Sequence, residues 1–261
     1  MKNKLAFLII VISTYCNSQV VLSTTQILNI AAKQRMLTQK MVKAKVCLTL
    51  NIDNDNAVKE LNASMILFQE NLKLLKNYKA SIELKSNITR IEQLWWAFAT
   101  NLNTYDINSL KKVFDGNNYL LNSCDDLVTE LRVFINLEAQ KKLERENETR
   151  KIIEISGSLR YLSQRLSYLS LCELPNSLGL DVDIDLSETN LKFIETTNEL
   201  LKFELNTIEI KTQISQVVKD FNKIKEIKKS KKADAKMLVD QCNLVLASSD
   251  ILTSLYLELL K

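Results

Sequence analysis

Apolar residues recur at intervals of three and four positions through most of the chain, which is typical of amphipathic α-helices. The clearest segments run from Ile27 to Leu48 and from Ile152 to Leu169. Further helices are predicted over 56–78, 81–103, 116–148, 187–203, 206–229 and 233–260, with breaks at Asn51–Asn54, Tyr105–Gly116, Pro175–Asp185 and 228–232. Eight helices with short connections predict an all-α protein of two tandem antiparallel four-helix bundles.

The chain contains an internal repeat at an offset of 125 positions. Ile27–Cys47, which reads ILNIAAKQRMLTQKMVKAKVC, aligns without a gap with Ile152–Cys172, which reads IIEISGSLRYLSQRLSYLSLC. The repeat predicts a first module over 19–148 and a second over 149–261, each opening with an arginine-containing helix. No helix breaker separates the two modules, so the pattern allows one long continuous helix to join them into a rod.

Residues 1–18 have the pattern of a secretory signal peptide. A basic start precedes the apolar run Leu5–Ile12, and the small residues Cys16 and Ser18 suit cleavage after Ser18. The run is far shorter than the roughly 20 apolar residues of a membrane span, so we expect no stable membrane insertion of the mature chain. Tyr15 is a poor fit before a lipidated Cys16. The mature protein is therefore expected to be exported, either periplasmic or secreted.

Composition narrows the function classes. The 261 residues include no histidine, which removes the Ser-His and Cys-His nucleophile pairs and His-ligated metal sites. The net charge is only +4, with both signs mixed along the chain, so electrostatics do not indicate nucleic acid. The sequence predicts a protein that is not an enzyme and that has no metal or other cofactor and no nucleic-acid partner.

Four cysteines remain in the mature chain: Cys47, Cys124, Cys172 and Cys242. In an up-down bundle the end of the first helix lies beside the start of the fourth, and an exported protein tolerates disulfides. We therefore expect the pairs Cys47–Cys124 and Cys172–Cys242. The alternative is four buried free thiols, because cysteine is common in protein cores.

The apolar residues spaced three and four apart form a hydrophobic seam along the first helix of each module. If successive residues are placed 100° apart around the helix axis, a second stripe of residues lies opposite this seam. This outer stripe consists of Leu28, Ala32, Arg35, Gln39 and Val46 in the first module and of Ile153, Gly157, Arg160, Gln164 and Leu171 in the second. A solvated face would not be expected to carry its apolar members. The outer stripe is therefore expected to meet another helix, from a second subunit or from another part of the chain.

Gly157 and Arg160 indicate a binding role for this stripe. A mid-helix glycine costs about 1 kcal/mol relative to alanine, and close approach by a partner helix or a small ligand would explain it. If two such helices crossed about a symmetry axis, two arginines would face each other. A small planar oxyanion between them would relieve the repulsion and fit the guanidinium groups. The alternative is that each arginine pairs with a carboxylate on a neighbouring helix.

The repeated motif resembles a known family. AAKQRMLTQKMVKA is similar to the opening motif of the PilJ-type domain, the N-terminal sensory domain of type IV pili methyl-accepting chemotaxis transducers. SGSLRYLSQR resembles both that motif and the ligand-binding box of nitrate/nitrite sensor histidine kinases. The resemblance implies an extracytoplasmic four-helix bundle whose first helices meet across a dimer. It also implies anion contacts from Gly157 and Arg160, whereas the first module keeps Arg35 but has Ala32 for the glycine.

Two functions follow from these observations. The first is an exported sensory or ligand-binding protein that binds a nitrate-like anion through Arg160, Gly157, Arg35, Ala32, Gln39 and Gln164. Its partners would be a small anion and either a second copy of the chain or a receptor protein. The alternative is a non-catalytic structural or interaction rod that docks on a membrane receptor or a surface assembly.

We expect the exported protein to begin at Gln19, because signal peptidase should cut after Ser18. Mass spectrometry of the N-terminal peptide, after expression of the full chain in a secretion-competent host, measures the cleavage position. A mature chain that starts with a lipidated Cys16, or that keeps residues 1–18, would contradict the prediction.

Overall fold

The computed structural model describes residues 23–78, 81–104, 106–138, 144–174, 178, 180–230 and 234–259. Within these ranges the regular elements are eight α-helices and no strands, which confirms the all-α prediction. The helices are α1 (Thr24–Thr49), α2 (Asn54–Asn77), α3 (Ile82–Thr100), α4 (Ile107–Glu138), α5 (Glu144–Cys172), α6 (Asp183–Leu201), α7 (Ile208–Lys229) and α8 (Ala235–Glu258). None of the described helices is long and apolar enough to span a membrane. The expected signal peptide, 1–18, lies outside the described residues.

The helices form two sets of four, as predicted. In the first set α1 packs against α2 and α4, and α3 packs against α4. In the second set α5 packs against α6 and α8, and α7 packs against α8. A stacked aromatic pair joins the second and third helices of each set, Phe68 with Trp95 at 4.5 Å and Phe193 with Phe221 at 4.3 Å. Phe68 and Phe193 are 125 positions apart, so the repeat continues beyond the opening motif.

The two sets meet through their first helices. α1 and α5 pack side by side, and all the residues of the outer stripe are buried. Asn29 on α1 contacts Arg160 on α5, and Gln39 further along α1 contacts Tyr168 further along α5, so the two helices run in the same direction. The prediction that the outer stripe meets another helix is therefore confirmed, and the helix that covers it comes from the same chain.

The two sets are not joined into a rod by one long straight helix, although the sequence pattern allowed it. Arg132 Nη1 on α4 lies 3.0 Å from Glu154 Oε2 on α5. In one straight helix, their separation of 22 positions would place these residues about 33 Å apart. The chain therefore reverses direction between α4 and α5, and α5 returns along the first set of helices.

α4 begins at Ile107, whereas the sequence analysis placed its start near 116. The Asp106 carboxylate explains the earlier start, because it accepts hydrogen bonds from the backbone N–H groups of Asn108 and Ser109, both at 2.9 Å. Such a bond satisfies N–H donors that a helix start would otherwise leave without a partner. Gly116 consequently lies inside the helix rather than in the predicted break.

The expected disulfides are not formed. Cys47, Cys124, Cys172 and Cys242 are all buried, and none of them is in a disulfide in the structure. Because α4 starts at Ile107, Cys124 lies in the middle of the helix rather than in its early turns.

The register of the helices explains why the expected partners do not meet. The neighbour of Cys124 in sequence, Asp125, pairs with Arg35, and Arg35 lies twelve residues or about 18 Å along α1 from Cys47. A disulfide requires Cα atoms within about 7 Å. In the second set Cys242 contacts Ser167, more than one helical turn from Cys172.

Lys43 ties the two sets together from inside the α1 packing surface. Its side chain is fully buried, and Nζ donates to Glu60 Oε1 on α2 at 2.9 Å and to Asn243 Oδ1 on α8 at 2.7 Å. A buried ammonium group is tolerated only with such partners. The bond to Asn243 adds a second link between the two sets, next to the α1–α5 contact.

We expect Glu60→Ala to destabilise the protein by about 3 kcal/mol, because it leaves the buried Lys43 ammonium without its carboxylate. Lys43→Met should cost less, since it removes the charge together with its need for a partner. Glu92→Ala breaks the more exposed Lys76–Glu92 pair and serves as the control, with an expected loss below about 1 kcal/mol. Urea unfolding measures all three, and equal losses for the two glutamate variants would contradict the prediction.

Candidate functional site

The α1–α5 packing surface is unusually polar for a helix–helix contact. Its buried polar side chains include Arg35, Thr38, Gln39, Arg160, Ser163, Gln164 and Tyr168. The hydroxyls at equivalent positions of the repeat are satisfied locally, since Thr38 Oγ1 donates to the Arg35 carbonyl and Ser163 Oγ donates to the Arg160 carbonyl, both at 2.8 Å. Arg35 and Arg160, each three residues before one of these hydroxyl residues, are buried charged side chains of this surface.

Arg160 folds back along its own helix. Its side chain is buried, Nη2 donates to Asn29 Oδ1 at 3.1 Å, and Nε donates to the Gly157 carbonyl at 3.4 Å. Nη1 lies 3.5 Å from the half-exposed carboxylate of Asp250 on α8. A Cβ at position 157 would lie only 3.0 Å from Arg160 Nη2. Gly157 has no side chain and therefore leaves room for the Arg160 guanidinium. The sequence analysis had instead explained this glycine by the close approach of a partner helix or a ligand.

Arg35 takes a different path. Ala32 stands where the second module has Gly157, and Arg35 extends to α4 instead of folding back, so that Nη1 donates to Asp125 Oδ1 at 2.8 Å. The guanidinium carbon lies 5.3 Å from the centroid of the Tyr161 ring on α5. The side chain is 6% exposed, and within the described structure its Nε and Nη2 atoms are buried without a hydrogen-bond partner. Arg35 is thus a buried cation with unused donors.

Arg35 and Arg160 lie near enough for the charge of one to affect the other. Burial lowers the pKa of Arg160, Asp250 opposes this effect, and the positive charge of Arg35 lowers the pKa further. Each arginine also pairs with an aspartate on the fourth helix of its own set, so the carboxylate alternative is confirmed for both. Each arginine is therefore paired with a carboxylate and also affected by the charge of the other arginine.

The ion pairs follow the repeat at the same offset of 125 positions. The related pairs are Arg35–Asp125 with Arg160–Asp250, and Lys40–Glu60 with Arg165–Asp185. Sequence analysis missed Asp125 and Asp250, because it compared the two modules at the offset of 125 only over their first helices. Applying the offset of the first helices to the fourth would have found both aspartates.

The two glutamines of the motif are used in packing. Gln39 Nε2 donates to Asn117 Oδ1 at 2.9 Å and to Thr38 Oγ1 at 2.8 Å, and its Oε1 accepts from Tyr168 at 3.1 Å. Gln164 Nε2 donates to Ser163 Oγ at 3.4 Å, and its buried Oε1 has no partner among the described residues. An unpartnered acceptor does not favour an anion. The geometry therefore concentrates the candidate site on the two arginines.

Two clefts open on opposite sides of the α1–α5 contact. The first, of about 410 Å³, lies between α4, α5 and α6 and is lined by Asn118, Asn122, Asp125, Tyr161, Arg165 and Lys192, among others. The second, of about 300 Å³, lies between α1, α2, α5 and α8 and is lined by Asn29, Lys33, Met36, Leu67, Arg160 and Asp250, among others. At the offset of 125, Met36 corresponds to Tyr161 and Leu67 to Lys192. The two clefts are therefore related by the repeat but differ in charge.

The buried thiols do not form a metal centre. Burial raises the pKa values of Cys47, Cys172 and Cys242 to about 12, so these thiols stay protonated at neutral pH. In the part of the chain that the structure describes, no group of three or more His, Cys, Asp or Glu side chains could hold a metal ion.

Comparison with known protein families gives a match at the first set of helices. Residues 17–112 match the PilJ family model, described as the type IV pili methyl-accepting chemotaxis transducer N-terminal domain. The matched range contains α1, α2, α3 and the first turns of α4, and thus the motif with Ala32, Arg35 and Gln39. This match supports the PilJ-type resemblance of the first half of the chain. No curated protein and no solved structure matches the chain.

We expect Gly157→Ala to destabilise the protein by about 1 kcal/mol. The added Cβ displaces the Arg160 guanidinium and its hydrogen bonds, which should outweigh the gain in helix propensity. Gly116→Ala is the matched control, because its Cβ would meet only Phe98 at an ordinary 3.6 Å. That variant should be more stable by about 0.4–1 kcal/mol. Chemical unfolding measures both variants, and a stabilised Gly157→Ala protein would contradict the explanation of this glycine.

Proposed function

We propose that this chain is an exported sensory protein that binds a small planar oxyanion, such as nitrate, between Arg35 and Arg160 at the α1–α5 contact. The observation that carries the proposal is the state of Arg35, whose Nε and Nη2 donors are buried and unpartnered. A buried donor without an acceptor costs about 1–3 kcal/mol, more when the group is charged. An anion on the Nε–Nη2 edge would remove that cost.

The distribution of charge supports an anionic ligand. The two guanidinium groups are almost fully buried, whereas the paired carboxylates of Asp125 and Asp250 are 35% and 51% exposed. Water screens the exposed negative charges more than the buried positive ones. The interior of the contact is therefore positive, and a trigonal oxyanion fits the planar donor geometry of a guanidinium group.

The PilJ match over 17–112 supports a sensory helical domain as the class of this protein. In this proposal α5 takes the place that the resemblance gives to the first helix of a second subunit. One chain would then form one anion site without a homodimer. Arg35 supplies the free donors, and Arg160, held by Asn29 and Gly157, supplies the second positive charge.

We expect nitrate or nitrite to raise the melting temperature of the purified protein by about 5 °C or more at 100-fold excess over the dissociation constant. Arg35→Ala should abolish the shift, because it removes the free donors, and Arg160→Ala should reduce or abolish it. Arg35→Lys keeps the charge but loses the planar fork and should bind more weakly. Arg90→Ala, at an exposed surface pair, is the control and should keep the full shift.

The absence of a shift across nitrate, nitrite, sulfate and acetate would contradict the anion proposal. It would favour the second candidate, a non-catalytic interaction protein that docks on a membrane receptor. The observation in favour of that candidate is that α6 exposes Ile184, Leu191 and Leu201, which share one side of the helix.

A further inference from the structure

We propose that Asp125 is a ligand-controlled switch, which neutralises Arg35 while the site is empty and turns to Lys192 when an anion binds. This inference rests on the proposed anion site and adds how that site is entered and regulated. The α4–α5–α6 cleft is the entrance, because Asp125, Tyr161 and Lys192 all line it.

Asp125 competes with the ligand for the same cation. Its carboxylate is itself a planar oxyanion, and it lies 2.8 Å from Arg35 Nη1. An anion on the free Nε–Nη2 edge would share one guanidinium with this carboxylate. Two negative charges on one cation repel each other, so a bound anion weakens the hold of Arg35 on Asp125.

Lys192 is the second partner available to Asp125. Arg35 and Lys192 both lie near the Tyr161 ring, at 5.3 Å and 5.7 Å from its centroid. Burial lowers the pKa of Lys192, but Tyr161 and, to a smaller extent, the nearby charge of Asp125 raise it above its ordinary value. The carboxylate is 35% exposed on the cleft side, so it can turn away from the buried arginine without crossing the packed core.

The opposite cleft does not repeat this pair of cations. Leu67 and Met36 stand there at the positions of Lys192 and Tyr161, and the lysine that lines it, Lys33, comes from α1 rather than from the facing helix. The switch is therefore one-sided. When Asp125 turns to Lys192, α4 of the first set becomes tied to α6 of the second, and the cleft between them closes.

Nitrate titration calorimetry in chloride-free buffer tests the switch. Asp125→Asn removes the competing charge and is expected to tighten nitrate binding about tenfold, within the range usual for coupled sites. Lys192→Met removes the second partner and is expected to weaken binding by about threefold or more. Asp126→Asn is the matched control, because Asp126 is next to Asp125 in sequence but its carboxylate pairs only loosely with Arg90, at 3.9 Å on the surface. It should change the affinity by less than about twofold.

The double variant Asp125→Asn with Lys192→Met separates the switch from a simple effect of charge. If Lys192 acts through Asp125, Lys192→Met has little further effect once Asp125 is neutral. Additive effects, or an Asp125→Asn affinity no higher than that of Asp126→Asn, overturn the switch, while nitrate binding to the wild-type protein leaves the anion site standing. No binding to wild type or any variant overturns both.

Nitrate binding to Asp125→Asn where the wild-type protein shows none supports the switch. Circular dichroism checks that each variant is folded. If Asp125→Asn fails to fold, the Lys192→Met variant alone tests the switch. A nitrate affinity of Lys192→Met equal to that of the wild-type protein then overturns the proposal.

Discussion

Two positively charged side chains are packed into one helix–helix contact, and this constraint organises the centre of the molecule. Arg35 and Arg160 lie between α1 and α5 with almost no access to water, so their charges must be compensated by the protein. Aspartates on α4 and α8 supply that compensation from the outside of the contact. The arginines thereby link the first helix of each set to the fourth helix of the same set.

Much of this arrangement could be predicted from the sequence. The period of apolar residues gave the helices, and the position of Arg160 and Gly157 opposite the hydrophobic seam correctly indicated a covered face. The sequence could not decide which helix covers it, because a second subunit and a second module present the same repeated pattern. The relevant contact joins residues more than 100 positions apart.

The errors have local physical causes. Gly116 was treated as a break, although one glycine is tolerated inside a helix that starts with a good cap at Asp106. That error shifted the start of α4 and, with it, the expected level of Cys124. The offset of 125 was applied to the first helices only, so the matching aspartates on α4 and α8 were not found. Helix faces are well determined by periodicity, whereas position along the helix is not.

Because both helices of the α1–α5 contact belong to one polypeptide, its two sides do not need to have the same sequence. In an assembly of identical subunits, every amino-acid change appears twice, once on each side of the axis. Here the equivalent residues Ala32 and Gly157, Met36 and Tyr161, and Leu67 and Lys192 already differ between the two sides of the α1–α5 contact. The two sides of the α1–α5 contact can therefore change independently, so that residues on one side can take on a new function while those on the other side maintain the fold.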